Sequence, residues 1–149
     1  MAGRKRTPDK LKIIAGTDRP DRMNADAPIP APGVAVAPEL LSERGAEIFS
    51  RLSATLDGMG LASPDDQDNL SMLSQRIEQV ELLTVIIEDS GFTYKTDAGL
   101  WKARPEVAMR SEAMRHAQSL LSEFGLSPAA RAKVSAGKMA ETNPFAALG

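Results

Sequence analysis

Residues 101–134, WKARPEVAMRSEAMRHAQSLLSEFGLSPAARAKV, decide the reading of the fold. Arg104-Pro105 predicts a helix start, because proline fits the first turn and lacks a donor that would go unpaired there. At 100° per residue, Val107, Met114, Ala117, Leu121 and Phe124 gather on one side, the mark of an amphipathic helix. Gly125 predicts its end, in the left-handed conformation that glycine adopts without penalty. Ser127-Pro128 then predicts a second, short helix carrying Arg131 and Lys133. A helix, a tight glycine turn and a short basic helix can present cations to phosphate.

Upstream, two more helices are expected. The first spans about residues 38–57, with Leu41, Ile48, Leu52 and Leu56 or Met59 on one side and Gly58 and Gly60 as its stop. Ser63 caps the second, Pro64 takes its first position, and Asp65, Asp66 and Asp68 suit the positive end of its dipole. It runs to about Asp89, with a stripe of Leu70, Leu73, Ile77, Val80 and Ile87. Near its end Leu82, Leu83, Val85 and Ile86 fill the other directions of the wheel. A helix apolar all round is buried all round. The few remaining helices offer too little cover, so Val80, Leu82, Leu83, Val85, Ile86 and Ile87 are expected to form a subunit interface.

Between the second and third helices, FTYKT and LWKA flank Asp97-Ala98-Gly99, which reads as a β-hairpin with a three-residue loop and glycine at its left-handed position. The other reading is an ordered loop pinned by Trp101. The expected fold is mainly α: an antiparallel helical hairpin, a third amphipathic helix, a short basic helix, a small β-hairpin, a disordered N-terminal arm and a C-terminal tail. The expected boundaries are an arm over residues 1–37, a helical core and oligomerisation domain over 38–136, and a tail over 137–149. The arm is basic, with one apolar cluster (Leu11, Ile13, Ile14), and passes into the proline-rich PIPAPGVAVAP, residues 28–38, which favours extended backbone.

The chain of 149 residues has a net charge of −2, but the charge is segregated. Residues 1–22 carry seven bases against three acids, residues 39–90 three against eleven, and residues 91–140 eight against four. Blocks of opposite sign point to separate faces for separate partners. With no cysteine and one histidine, His116 on the polar side of the third helix, neither a disulfide framework nor a multi-histidine metal centre is expected. Asp65, Asp66 and Asp68 are better explained as helix-start residues than as metal ligands. There is no glycine-rich phosphate loop and no nucleophile elbow. The expectation is a protein with no enzymatic activity and no cofactor. No apolar run reaches the roughly 20 residues of a membrane span, and no apolar segment follows the basic N-terminus, so a cytoplasmic location is expected.

Four segments in the same order resemble those of bacteriophage terminase small subunits of the short, prophage-encoded type. They are GRKRTPDKLKIIAGTDRPDR (residues 3–22), SPDDQDNL (63–70), the Arg104-Pro105 helix with EFGLSPAARAKV (123–134), and NPFAALG (143–149). The most specific is GLSPAARAKV, residues 125–134. The sequence departs from the pattern at Arg104, where the family often has asparagine. Its leader is also too short and too proline-rich for the helix-turn-helix domain that many small subunits carry at the N-terminus.

The resemblance implies a non-enzymatic packaging factor in the host cytoplasm. Such a factor assembles as an oligomeric ring, binds double-stranded viral DNA, and recruits or regulates the large subunit that holds the ATPase and nuclease. The candidate DNA contacts are then Arg4, Lys5, Arg6, Lys10 and Lys12 of the arm, with Arg131 and Lys133 of the short helix. Phe145 and Leu148, one helical turn apart in the tail, are the candidate docking residues for the large subunit. The competing readings are a dimeric helix-turn-helix-type transcriptional regulator that reads two half-sites through residues 105–135, and an adaptor with no nucleic-acid role.

Overall fold

In a computed structural model of the chain, Lys12 and residues 30–128 are described. The elements in order are α1 (Glu43–Gly58), a 3₁₀ turn (Pro64–Asp66), α2 (Gln67–Ser90), β1 (Thr93–Lys95), β2 (Trp101–Ala103) and α3 (Pro105–Glu123). The chain is mainly helical with one small antiparallel sheet, as expected. Pro30–Leu120 form one compact unit.

The first helix starts later than its apolar spacing implies. Pro38–Leu41 instead form a turn closed by the Leu41 N–H on the Pro38 carbonyl at 3.2 Å. Ser42 caps α1, its hydroxyl accepting from the Gly45 N–H at 2.9 Å. At the other end Gly60, with φ +69°, lets its own N–H reach the Asp57 carbonyl and the Leu61 N–H reach the Leu56 carbonyl. Those two bonds satisfy carbonyls the helix would leave unpaired. The chain then reverses into Ser63 and Pro64, and α2 returns alongside α1.

Packing of α1 against α2 makes most of the core. Ile48, Phe49, Leu52 and Leu56 are buried on α1, and Leu70 and Leu73 on α2. Small side chains bring the two helices close. A Cβ on Gly45 would lie 3.1 Å from Glu78 Oε2 and 3.1 Å from Ser42 Oγ, so both side chains would have to give by a few tenths of an ångström to admit one. Ser71 and Ser74 are buried without cost to hydrogen bonding, since each hydroxyl donates to the carbonyl one turn back, at 2.7 and 2.8 Å.

The proline-rich segment is an extended strap along this hairpin from residue 30 onward. The Ala31 N–H donates to Asp65 Oδ2 at 2.8 Å, the Ser63 hydroxyl donates to the Ala31 carbonyl at 2.9 Å, and the Ser53 hydroxyl reaches the Ala35 carbonyl at 3.3 Å. Ala35 is buried. Ser63 and Asp65, expected at the sequence level to serve the start of α2, also anchor the strap.

The expected β-hairpin is present, with Thr93 opposite Ala103, Tyr94 opposite Lys102 and Lys95 opposite Trp101. The Thr96 N–H meets the Leu100 carbonyl at 2.8 Å, which leaves Asp97-Ala98-Gly99 as a three-residue loop with Gly99 at φ +79°. α3 begins at Pro105 as predicted. Most of its predicted face is covered: Ala117 is buried, and Val107, Leu121 and Phe124 are half-buried. Ala113, one turn before Ala117, is buried and joins the covered side, and Met114 is the one member of the expected stripe left exposed. The helix ends as predicted at Gly125, φ +73°, where the Gly125 and Leu126 N–H groups meet the Ser122 and Leu121 carbonyls.

Candidate nucleic-acid and assembly surfaces

Two bonds at the start of α1 fix how far it covers α2. The Ser42 hydroxyl donates to Glu78, and Arg44 grips Glu81 with two parallel bonds, Nε to Oε2 at 2.8 Å and Nη2 to Oε1 at 2.9 Å. Arg44 also reaches Glu47 at 2.8 Å. Hydrogen bonding to the Arg44 guanidinium holds the Glu81 carboxyl below the usual carboxylate range. Since α1 begins beside Glu78 and Glu81, residues 82–90 of α2 run past its end. At about 1.5 Å per residue that overhang is about 13 Å long.

The overhang holds the apolar stretch that stood out in the sequence, and the structure sorts its members. Leu83 and Ile87 are buried, Val80 is half-buried, and Leu82, Val85 and Ile86 are 59%, 65% and 45% exposed. Three large aliphatic side chains therefore lie exposed on one side of a segment whose other side, at Leu83 and Ile87, is buried. Exposed apolar side chains in such a group are characteristic of interaction sites.

Next along the chain, the β-hairpin is exposed over both strands. Directly paired residues share a face. Lys95 and Trp101 therefore lie together with Thr93 and Ala103, while Tyr94 and Lys102 lie on the opposite face. The Arg104 N–H donates to the Phe92 carbonyl at 3.0 Å, extending the ladder by one pair. The root of the ribbon is held by two arginines. Arg104 donates to the Ser90 carbonyl at 3.1 Å and stacks 5.9 Å from the Tyr94 ring centre, and Arg110 of α3 lies 5.8 Å from that of Phe92. Trp101 is 70% exposed, and Lys95 and Lys102 are exposed beside it. The sequence signal for this surface is the alternation of aromatic and cationic side chains in FTYKT and LWKA.

The other predicted contact residues fall differently. Lys12 is helical and half-buried. Arg4, Lys5, Arg6, Lys10, Arg131, Lys133, Phe145 and Leu148 lie outside the described residues, as does most of the predicted short basic helix, of which Pro128 is described and helical. His116 is exposed. Among the described residues no group of three His, Cys, Asp or Glu side chains could hold a metal ion, and no helix is long and apolar enough to cross a membrane.

A helical hairpin with an uncovered apolar end and a cationic ribbon has the features of a binding and assembly module. The family model described as the phage terminase small subunit matches residues 45–141. The chain belongs to that family. The matched span takes in nearly all of α1, the whole of α2, the ribbon and α3, and begins after the basic leader. Neither the search of curated proteins nor that of solved structures found a match.

Proposed function

We propose that the chain acts as the non-catalytic small subunit of a phage packaging terminase in the host cytoplasm. In this reading copies of the chain form a ring, the ring binds double-stranded viral DNA, and it recruits or regulates the large ATPase and nuclease subunit. Membership of the family supports the packaging role. The observation that carries the assembly is the overhang of α2, where Leu82, Val85 and Ile86 stand in water in a single copy. Covering such side chains with a sister copy removes apolar surface at about 25 cal/mol per Å². Repeating that contact around a closed ring satisfies every copy. A ring also multiplies weak DNA contacts, so Arg4, Lys5, Arg6, Lys10 and Lys12, with Arg131 and Lys133, need not be strong singly. Phe145 and Leu148 are assigned to docking of the large subunit.

Mass measurement of the intact assembly tests the ring. A closed set of more than two copies is expected, and Val85→Asp should reduce it to lone chains. A stable monomer at working concentration overturns the ring, and a dimer with a two-half-site operator favours the regulator reading. Truncation after residue 141 should abolish retention of the large subunit in a pull-down; full retention removes the tail from the mechanism.

A further inference from the structure

We propose that the β-ribbon, residues 92–104, is itself a duplex-DNA contact, entering the major groove with Lys95 and Lys102 turned toward the phosphate backbones on either side. The inference rests on the DNA-binding part of the proposed function, and it moves a main contact from the arm to a folded element. Three observations carry it. First, the two lysines occupy opposite faces of the ribbon, and both are exposed. Neither makes an ion pair within the described residues. Second, Leu100 and Trp101, which lie between them in the chain, and Phe92 at the root are exposed rather than in a core. Third, the root is rigid, because Arg104 ties the ribbon to the carbonyl at the end of α2 and stacks on Tyr94.

Size and charge then choose the occupant. A two-stranded ribbon with side chains on both faces is about 10 Å thick, and the major groove is about 12 Å wide and admits such a ribbon. Residues 92–104 hold three bases and one acid, Asp97, which sits in the loop. An apolar protein surface laid on either face would strip water from an unpaired lysine, whereas a groove walled by phosphates neutralises both. The acidic hairpin of a second copy is the alternative polyanion; Arg44 occupies only Glu47 and Glu81 of its eleven acids, so the mass of the assembly is what separates the two occupants.

Trp101 is the chain's single tryptophan and reports directly on the contact. The experiment titrates a labelled 30-base-pair duplex with the full chain at 50 and 200 mM salt, reading DNA anisotropy and tryptophan emission together. Emission should change with the same midpoint as anisotropy. The double variant K95Q/K102Q should bind more weakly at 50 mM salt. It should also lose roughly tenfold less affinity between the two salts, as expected for about two fewer phosphate contacts per copy.

Binding by the unaltered chain with Trp101 emission unmoved and with the variant's salt response unchanged overturns the ribbon contact while leaving DNA binding in place. A variant that alters the mass of the assembly but not its DNA affinity also overturns it, and makes the ribbon a surface between copies. If the full chain binds no duplex at 50 mM salt, DNA binding fails as a whole and takes the ribbon with it. The circular dichroism of the variant is expected to match that of the parent, since both lysines are exposed.

Discussion

The two parts of α2 meet different surroundings: five of the fifteen residues over 67–81 are apolar, against five of the nine over 82–90. Over residues 67–81 the helix lies against α1 and sinks Leu70 and Leu73 completely. Over residues 82–90 it keeps a full set of aliphatic side chains but has no α1 beside it, so Leu82, Val85 and Ile86 face water. The longer, less apolar part has α1 beside it; the shorter, more apolar part does not, and of its aliphatic side chains Leu83 and Ile87 alone are buried. α1 has 16 residues and α2 has 24, and bonds from Ser42 and Arg44 pin the shorter helix so that the excess emerges at the C-terminal end. Uncovered apolar surface is thus a consequence of unequal helices in a fixed register.

The strongest way to break this comparison is to shorten one side chain in each half. Leu73, with no exposure at all, has α1 packed against it, and Leu73→Ala should cost about 2–5 kcal/mol of unfolding free energy. Val85→Ala should stay within about 0.5 kcal/mol when measured on a dilute, unassembled chain. Denaturant titration at low protein concentration checks both. Equal costs would mean that the overhang is covered within its own chain. If the overhang seats a sister copy, the Val85→Ala penalty should grow as concentration rises, because assembly and folding are linked by mass action.

A smaller effect is expected at the register itself. Ser42 both caps α1 and donates to Glu78 across the hairpin. Removing the hydroxyl in Ser42→Ala should cost about 1 kcal/mol, the usual value of a cap. A loss near zero would show that Arg44 alone holds the register. Hydrogen exchange at the first turn of α1 sharpens the test, since loss of the cap should increase fraying there more than in α2.

These same features show what the sequence could and could not disclose. The ribbon and both glycine stops were legible because their determinants are local: Asp97-Ala98-Gly99, Gly60 and Gly125 sit at the turns they make. The start of α1 was misplaced because Leu41 continues the apolar spacing, while the cap at Ser42 is completed by Glu78, 36 residues away. On α3 Met114 alone departs from the expected stripe, because hydropathy ranks it above Ala113, yet Ala113 is the one buried. The overhang was half legible. Its apolar girth is plain in residues 80–87, but which members remain exposed depends on where α1 begins. The cationic ribbon needed the strand register, which alone puts Lys95 and Lys102 on opposite faces.

The smallest expected effect concerns pH and tests the same register from its charged side. In the folded chain the Arg44 guanidinium lowers the Glu81 carboxyl below its ordinary value, so the unfolded state binds a proton more readily than the folded one. The pair therefore contributes its stability fully above the ordinary carboxylate range and loses it as pH falls through the lower, folded value. Both side chains are substantially exposed, at 49% and 41%, so water and salt screen the pair and the contribution is modest. Denaturation midpoints followed from neutral to acid pH should fall less steeply for Glu81→Gln than for the parent, and the difference should shrink at high salt. Parallel curves at low salt would mean that Ser42 and Gly45, rather than the ion pair, set where α1 stops covering α2.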